Sequence, residues 1–221
     1  MIFPSLDRVK AIAPGYDIVP VYMEILSDVR TPISVLKALK QVSSHTYLLE
    51  SADNSNHWGR YSFLGYDPKI ELFCKNHTMT IKDGTTRTFE CSDPAAEIRN
   101  ILSQYKSPRL EELPTFTGGF VGYFDVDLML FDKVIAFDHY KNKIYLIANI
   151  STNDLERNYN KAELELKALA DLVVNGKEAD IPKGILKTEF TSEFTKDEFE
   201  AVVKKTQHYI KEGDIFQCVV S

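Results

Sequence analysis

Two apolar runs near the middle of the chain restrict its fold more than any other feature. Leu128–His139 (LMLFDKVIAFDH) and Lys143–Ile150 (KIYLIANI) are dense in branched aliphatic and aromatic residues, and only residues 140–142 separate them. Strands joined by so short a turn pair antiparallel. Their apolar character does not suit a sheet edge, where unpaired backbone and solvent favour polar side chains. The pair is therefore predicted to form the centre of an antiparallel sheet, with Tyr140–Asn142 as the turn.

The flanking sequence supplies partners for that sheet. Asp17–Leu26 (DIVPVYMEIL) reads as a strand, and Pro20, lacking a donor, places it at an edge or bulge. Lys69–Cys74, Thr78–Lys82 and Thr85–Glu90 read as short strands, with Asp83-Gly84 as a tight hairpin turn. Thr117–Phe124 (TGGFVGYF) is an apolar strand interrupted by Gly118, Gly119 and Gly122, which marks a bulge or a close backbone approach. It lacks the Lys-Ser/Thr pair and the G-x-G-x-x-G order of phosphate loops. Helices are predicted over Ser5–Ala13, from Pro32 with Thr31 as N-cap (Ile33, Leu36 and Leu39 inward), and from Ser92-Asp93-Pro94 (Ile98, Ile101 and Leu102 inward). Asn153–Asn175 carries Leu155, Tyr159, Ala162, Leu166, Leu169, Leu172 and Val173 at helical spacing, with Gly176 as a left-handed stop. The fold class is thus α/β of the α+β type, mostly antiparallel sheet with helices packed outside.

Residues 1–176 form one expected domain, 177–194 a connector with a short strand at Leu186–Phe190, and 195–221 the start of a second domain. In that last part Thr195 and Glu198 make a capping box, and Phe199, Val202, Val203, Thr206, Tyr209 and Ile210 follow at helical spacing until Gly213. Ile215–Val220 reads as a strand with Cys218 in the core, and the chain stops while that pattern is still running. A net charge of −6 argues against nucleic-acid binding. No apolar run approaches the roughly 20 residues that cross a bilayer. The opening MIFPSLDRVKAIAPG has neither the basic start nor the apolar core of a signal peptide. Three cysteines without CxxC spacing suit a reducing cytoplasm better than a disulfide frame or a zinc site.

The chemistry concentrates in HTYLLESADNSNHWGRYSFLG, two strands joined by a polar turn at Ala52–Trp58. The first strand ends in Glu50 and Ser51, an acceptor for an ammonium group beside a hydroxyl that both donates and accepts. Arg60 begins the return strand. Glu50, Ser51 and Arg60 are the groups a small zwitterion such as a free amino acid needs; the same pattern also describes a solvated turn. The five histidines show no metal-ligand spacing, and His139 beside Asp138 reads as a strand-end turn because neighbouring strand residues face opposite ways. Asp125, Asp127 and Asp132 read as the solvent side of a strand, or at most a loose cation site. No catalytic constellation emerges from the residues alone.

Several ordered blocks, DIVPVYMEI, TPISVLKAL, LLES, WGRYSFLG, GGFVGYF, LMLFDKVIAFDHYKNKIYLIANI and EGDIFQCVVS, resemble the anthranilate synthase component I family of chorismate-utilising enzymes. The resemblance implies an enzyme that converts chorismate and ammonia to anthranilate and pyruvate in tryptophan biosynthesis. It implies Mg2+ as cofactor and a glutamine amidotransferase subunit (component II) as ammonia source. It implies that Leu49, Glu50 and Ser51, with Arg60 and Ser62, line a site for tryptophan as feedback inhibitor, and that 195–221 begins the chorismate-binding domain. The magnesium ligands and the acid/base histidine of the family fall in a carboxyl-terminal part, so no catalytic residue is expected in this chain. Gln217 stands where water-using relatives carry a lysine; glutamine cannot serve as a base, which favours ammonia as nucleophile. Phe124 runs directly into Asp125, where family members carry an additional stretch. Component I of aminodeoxychorismate synthase is a close alternative, and a non-catalytic amino-acid-binding module is one of another class.

Overall fold

A computed structural model describes residues 1–28, 30–50, 59–123, 127–180, 192, 194–215 and 218–219. Contacts divide the chain into two units, Met1–Ile181 and Pro182–Ser221.

The first unit holds two five-stranded sheets in which every pairing is antiparallel. Sheet one contains β1 (Ile18–Leu26), β2 (Thr46–Glu50), β3 (Tyr61–Tyr66), β9 (Lys133–Asp138) and β10 (Lys143–Ser151), in the order β1-β10-β9-β3-β2. As the composition predicts, β9 and β10 are central, and β1 with its Pro20 is an edge. Sheet two contains β4 (Ile70–Lys75), β5 (Thr78–Lys82), β6 (Thr86–Glu90), β7 (Gly119–Tyr123) and β8 (Asp127–Phe131), in the order β6-β5-β4-β8-β7.

Leu128–His139 is therefore not one strand. It breaks at Asp132, and its halves lie in different sheets: β8 pairs with β4 and β7, while β9 pairs with β10 and β3. Nothing in a continuous apolar run marks such a crossing, because both halves need buried side chains. Asp132 is correspondingly half-buried rather than on a solvent face. It lines a small cavity of about 100 Å³ with Asn149, Ser107 and Tyr105. Burial raises its carboxyl pKa, opposed by the charges of Lys133 and Lys69. The Asn149 amide donates to the Asp132 carbonyl at 3.1 Å and to that of Thr117 at 2.7 Å, tying both sheets to one side chain.

One face of sheet one packs against α1 (Leu6–Ile12), α2 (Pro32–Leu39) and α4 (Leu155–Asn175). Tyr159, Ala162, Leu166, Leu169 and Val173 of α4 meet Leu64, Ile135, Phe137, Ile144 and Leu146 there, in a core from which water is excluded. Each such aliphatic side chain contributes about 1.5–3 kcal/mol when fully buried. The opposite face, with Tyr22, Val134, Ala136, Tyr145 and Ile147, is covered by Leu110, Leu113 and Phe116 of the proline-bearing loop. Sheet two packs on α3 (Pro94–Leu102) through Ile98 and Ile101.

Several local expectations are revised. Val35, Ala38 and Leu39 form the buried stripe of α2, and Ile33 is 53% exposed; Leu102 likewise points outward. Gly176 follows α4 with φ −57, not in the left-handed region. Glycine fits there because a Cβ would lie 2.3 Å from the Leu172 carbonyl oxygen. Gly122 meets its expectation of close approach, since a Cβ would lie 2.0 Å from the Asp127 carbonyl oxygen.

In the second unit α5 (Lys196–Glu212) starts at the Thr195–Glu198 capping box and stops at Gly213, φ 85. None of its residues is buried, and Phe199, Val202, Tyr209 and Ile210 are all more than a third exposed. Ile215, Cys218 and Val219 are not in a strand, and Cys218 is exposed rather than core. The predicted strand Leu186–Phe190 lies outside the described residues. No helix among the described residues is long and apolar enough to cross a membrane.

Candidate functional site

The β2–β3 hairpin positions the predicted residues, and its register decides which of them meet. Glu50 lies opposite Ser62, which lies opposite Phe137 of β9. These three share the helix-covered face, since Phe137 belongs to the core beneath α4. Leu49 lies opposite Phe63, which lies opposite Ala136, and so faces the other way. The structure thus brings Glu50 and Ser62 together and sets Leu49 apart from both. Ser51 and Gln217 lie outside the described residues, as does the turn Ala52–Trp58.

On the Leu49 face a cleft of about 440 Å³ opens between the sheets, a size in the range of small-molecule sites. Its walls are Tyr47 and Leu49 on β2, Val121 on β7, and Met129 and Phe131 on β8, with Tyr123 and Asp127 at one end. The Tyr47 and Phe131 rings meet edge to face at 4.7 Å. Tyr47 lies across Gly65, its cross-strand partner; a Cβ there would fall 2.1 Å from the ring. Burial pushes the Tyr47 phenol up, and its hydroxyl, out of contact with solvent, has no hydrogen-bond partner among the described residues. The aromatic and thioether walls suit a flat, apolar ligand, with polar groups offered by Tyr123 and Asp127 at the end and not by the enclosed Tyr47 hydroxyl.

At the start of β3 and the end of β9 the charges are already partnered. Arg60 donates from Nε to Asp138 Oδ1 at 3.1 Å and from Nη2 to Oδ2 at 2.7 Å, with Asp138 fully buried. Backbone N–H groups of Tyr140 and Lys141 donate to the same carboxylate at 3.1 and 3.0 Å, the strand-end turn expected at this point. Burial alone would raise the Asp138 pKa; the bonds from Arg60 and Lys141, the Arg60 charge and the Tyr140 bond outweigh it and hold the carboxyl below its ordinary value. Arg60 also stacks over the rings of Tyr61 and Tyr140, at 4.8 and 5.6 Å. Its guanidinium is thus engaged with the protein's own carboxylate.

Ser62 is 3% exposed, and its hydroxyl lies 2.7 Å from His139 Nε2 and 3.5 Å from Glu50 Oε1. Neither this contact nor the Arg60–Asp138 pair is legible in the sequence. The partners are 77 and 78 residues apart, and only the β3–β9 register joins them. Among the described residues no group of three or more His, Cys, Asp or Glu side chains could hold a metal ion.

Residues 122–221 match the family model for chorismate binding enzyme. Along its whole length the chain is 34% identical to anthranilate synthase component 1 of Acetivibrio thermocellus, covering 51% of that protein. Along its length the chain is thus similar to the component 1 proteins of anthranilate synthase. Over 98% of its length it is 32% identical to the component 1 protein of Aquifex aeolicus, of which it covers 49%. It spans about half the length of the curated component 1 relatives it matches. Anthranilate synthase component I from Streptococcus pneumoniae, a solved structure, superposes on 88% of this chain and 46% of that one, with a TM-score of 0.41 and 24% identity. The family match begins inside β7, so its first part takes in the central strands of sheet one.

Proposed function

We propose that this chain is the amino-terminal portion of a cytoplasmic anthranilate synthase component I, the partner of a glutamine-hydrolysing component II, and that it carries the tryptophan feedback site. The observation that carries the reading is similarity to component 1 proteins along the entire chain, at 34% and 32% identity, not in one motif. In the whole enzyme chorismate and ammonia yield anthranilate and pyruvate with Mg2+. The metal ligands and the acid/base histidine for that chemistry belong to the family's carboxyl-terminal part, outside residues 1–221. In this reading residues 1–176 are the regulatory domain, 177–194 the connector and 195–221 the start of the next domain, while the chorismate-binding match itself begins earlier, at residue 122.

The cleft between β2 and β7–β8 supports the feedback role. Its aromatic and thioether walls accept an indole by face and edge contacts. Leu49 is 47% exposed at its rim, and Glu50 follows at the strand end, where its carboxylate is exposed for an ammonium group. A ligand that touches both must reach around the end of β2. Arg60 contributes indirectly, by fixing the turn after β9 through Asp138. For such binding to regulate, tryptophan must favour one of two conformations that differ in chorismate affinity.

Calorimetric titration of L-tryptophan into the chain tests the site. Saturable binding lost in Leu49→Arg and weakened in Glu50→Gln is expected. Absence of heat at millimolar ligand, or equal affinity in Leu49→Arg, overturns the assignment.

A further inference from the structure

We propose that His139, acting through the Ser62 hydroxyl, controls the carboxylate of Glu50, so that the imidazole is a positioning residue for the ligand-facing end of β2. The consequence for ligands rests on the reading of Glu50 as an ammonium partner; the relay itself does not.

A serine hydroxyl has one proton to donate and two lone pairs to accept with. Ser62 Oγ stands between two groups that both compete for that proton, His139 Nε2 at 2.7 Å and Glu50 Oε1 at 3.5 Å. When the imidazole is neutral with its proton on Nδ1, Nε2 is an acceptor and takes the hydroxyl proton at the shorter distance. Glu50 is then left without a donor from Ser62 and is free for an external ammonium. When the imidazole is protonated, Nε2–H donates to Oγ, and the hydroxyl must turn its proton to Glu50. The carboxylate is then engaged from the protein side, and a positive charge stands one hydroxyl away from where an ammonium would bind.

Among the described residues, the groups around His139 are few. On its own strand Asp138 faces the opposite way and is saturated by Arg60, Tyr140 N–H and Lys141 N–H. Phe137, two residues back, stacks with the imidazole at 6.4 Å. From β3, Arg60 is committed to Asp138 and Tyr61 lies on the Asp138 side. From β2 the charged group is Glu50, and in the following turn Lys141 is exposed. His139 itself is exposed, so solvent protons reach it, while Ser62 is buried and cannot satisfy itself with water instead.

Protonation of His139 therefore opposes ammonium binding, and affinity rises as pH rises through the imidazole range. Heteronuclear NMR of the His139 imidazole at pH 8, on the ligand-free chain, tests the hydrogen bond directly. The Nε2 resonance is expected to move towards its non-hydrogen-bonded position in Ser62→Ala and to stay near the wild-type position in Ser62→Thr, which keeps the hydroxyl. An Nε2 resonance unchanged in Ser62→Ala overturns the proposal. The second measurement is L-tryptophan affinity at pH 8 and pH 5.5, expected to weaken about tenfold at the lower pH and to become flat in His139→Phe, which keeps the stack on Phe137. Equal affinities in the wild type, or a slope that persists in His139→Phe, overturn it as well. A displaced Nε2 resonance in Ser62→Ala with no tryptophan binding at any pH supports the relay and refutes the tryptophan site instead.

Discussion

Replacing Arg60 by methionine isolates the buried ion pair at the end of β9. Asp138 has no solvent exposure and accepts four hydrogen bonds, two of them from Arg60. Arg60→Met keeps most of the side-chain bulk and leaves a buried carboxylate with only the two backbone donors. Removing one member of a buried pair costs about 3–5 kcal/mol. The lower end applies, because the Arg60 side chain is 37% exposed and water can enter where the guanidinium stood. A loss of about 3 kcal/mol at pH 7 is expected, read by urea denaturation as a midpoint lowered by about 1–2 M. The pH dependence makes the test specific. In the wild type the Asp138 pKa lies below its unfolded value, so its stabilisation is complete above the ordinary carboxylate value of about 4. It is lost as pH falls through the lower, folded value. In Arg60→Met burial prevails and the folded pKa rises, so the variant recovers stability as pH falls through that raised value. The gap between the two proteins is therefore widest near pH 7 and narrows towards pH 4, and Arg60→Met/Asp138→Asn regains part of the loss at pH 7. A loss below about 1 kcal/mol, or one equal at pH 7 and pH 4, would show that the pair behaves as an ordinary surface contact.

Three further substitutions probe the cleft and the sheet junction. Tyr47→Phe removes a buried hydroxyl that has no partner among the described residues, so stability stays within about 0.5 kcal/mol of wild type or improves; a loss above about 1 kcal/mol on thermal melting would reveal a bond that the described residues do not account for. Gly65→Ala drives a methyl group into the Tyr47 ring and costs about 2 kcal/mol in the wild type but little more when Tyr47 is already alanine, and strict additivity in the double-mutant cycle would contradict the contact. Gly122→Ala, at φ 152 with the Asp127 carbonyl in the way of a Cβ, lowers stability by about 2–4 kcal/mol, and an unchanged melting temperature would refute the close approach of β7 to β8.

What the sequence reveals here follows from the range over which each signal acts. Periodicity is local, so the α4 stripe from Tyr159 to Val173, the Asp83-Gly84 hairpin and the Thr195–Glu198 box are all legible. Sheet membership is not local. Asp132 turns an apparently single strand into members of two sheets, since residues on either side of it obey the same apolar pattern. Helix orientation fails for a related reason: α2 is eight residues long, and its stripe falls on Val35, Ala38 and Leu39, one step round from the face set by Ile33. Residue type points to Glu50, Ser62 and Arg60, but not to their partners His139 and Asp138, because a contact across 77 or 78 residues is set by which strands adjoin.

The same register fixes the chemistry of the hairpin. Strand side chains alternate, so a slip of one residue between β2 and β3 would exchange Leu49 and Glu50 between faces. It would turn an apolar wall of the cleft towards the helices and drive a carboxylate in among Met129 and Phe131. As β2 is an edge strand, bonded among the described residues to β3 alone, no described strand beyond it prevents this. Two side-chain fits do. The Tyr47 ring occupies the space that Gly65 leaves empty, and Gly65 is the one residue in β3 without a Cβ. At the far end of the strand Glu50 meets the Ser62 hydroxyl. A shifted strand would bring Tyr47 against Leu64 or Tyr66 instead, both of which carry side chains. The residues that line the cleft thus also hold the strand that presents Glu50, and a ligand spanning both faces at the end of β2 reads a register that Gly65 and Ser62 have already set.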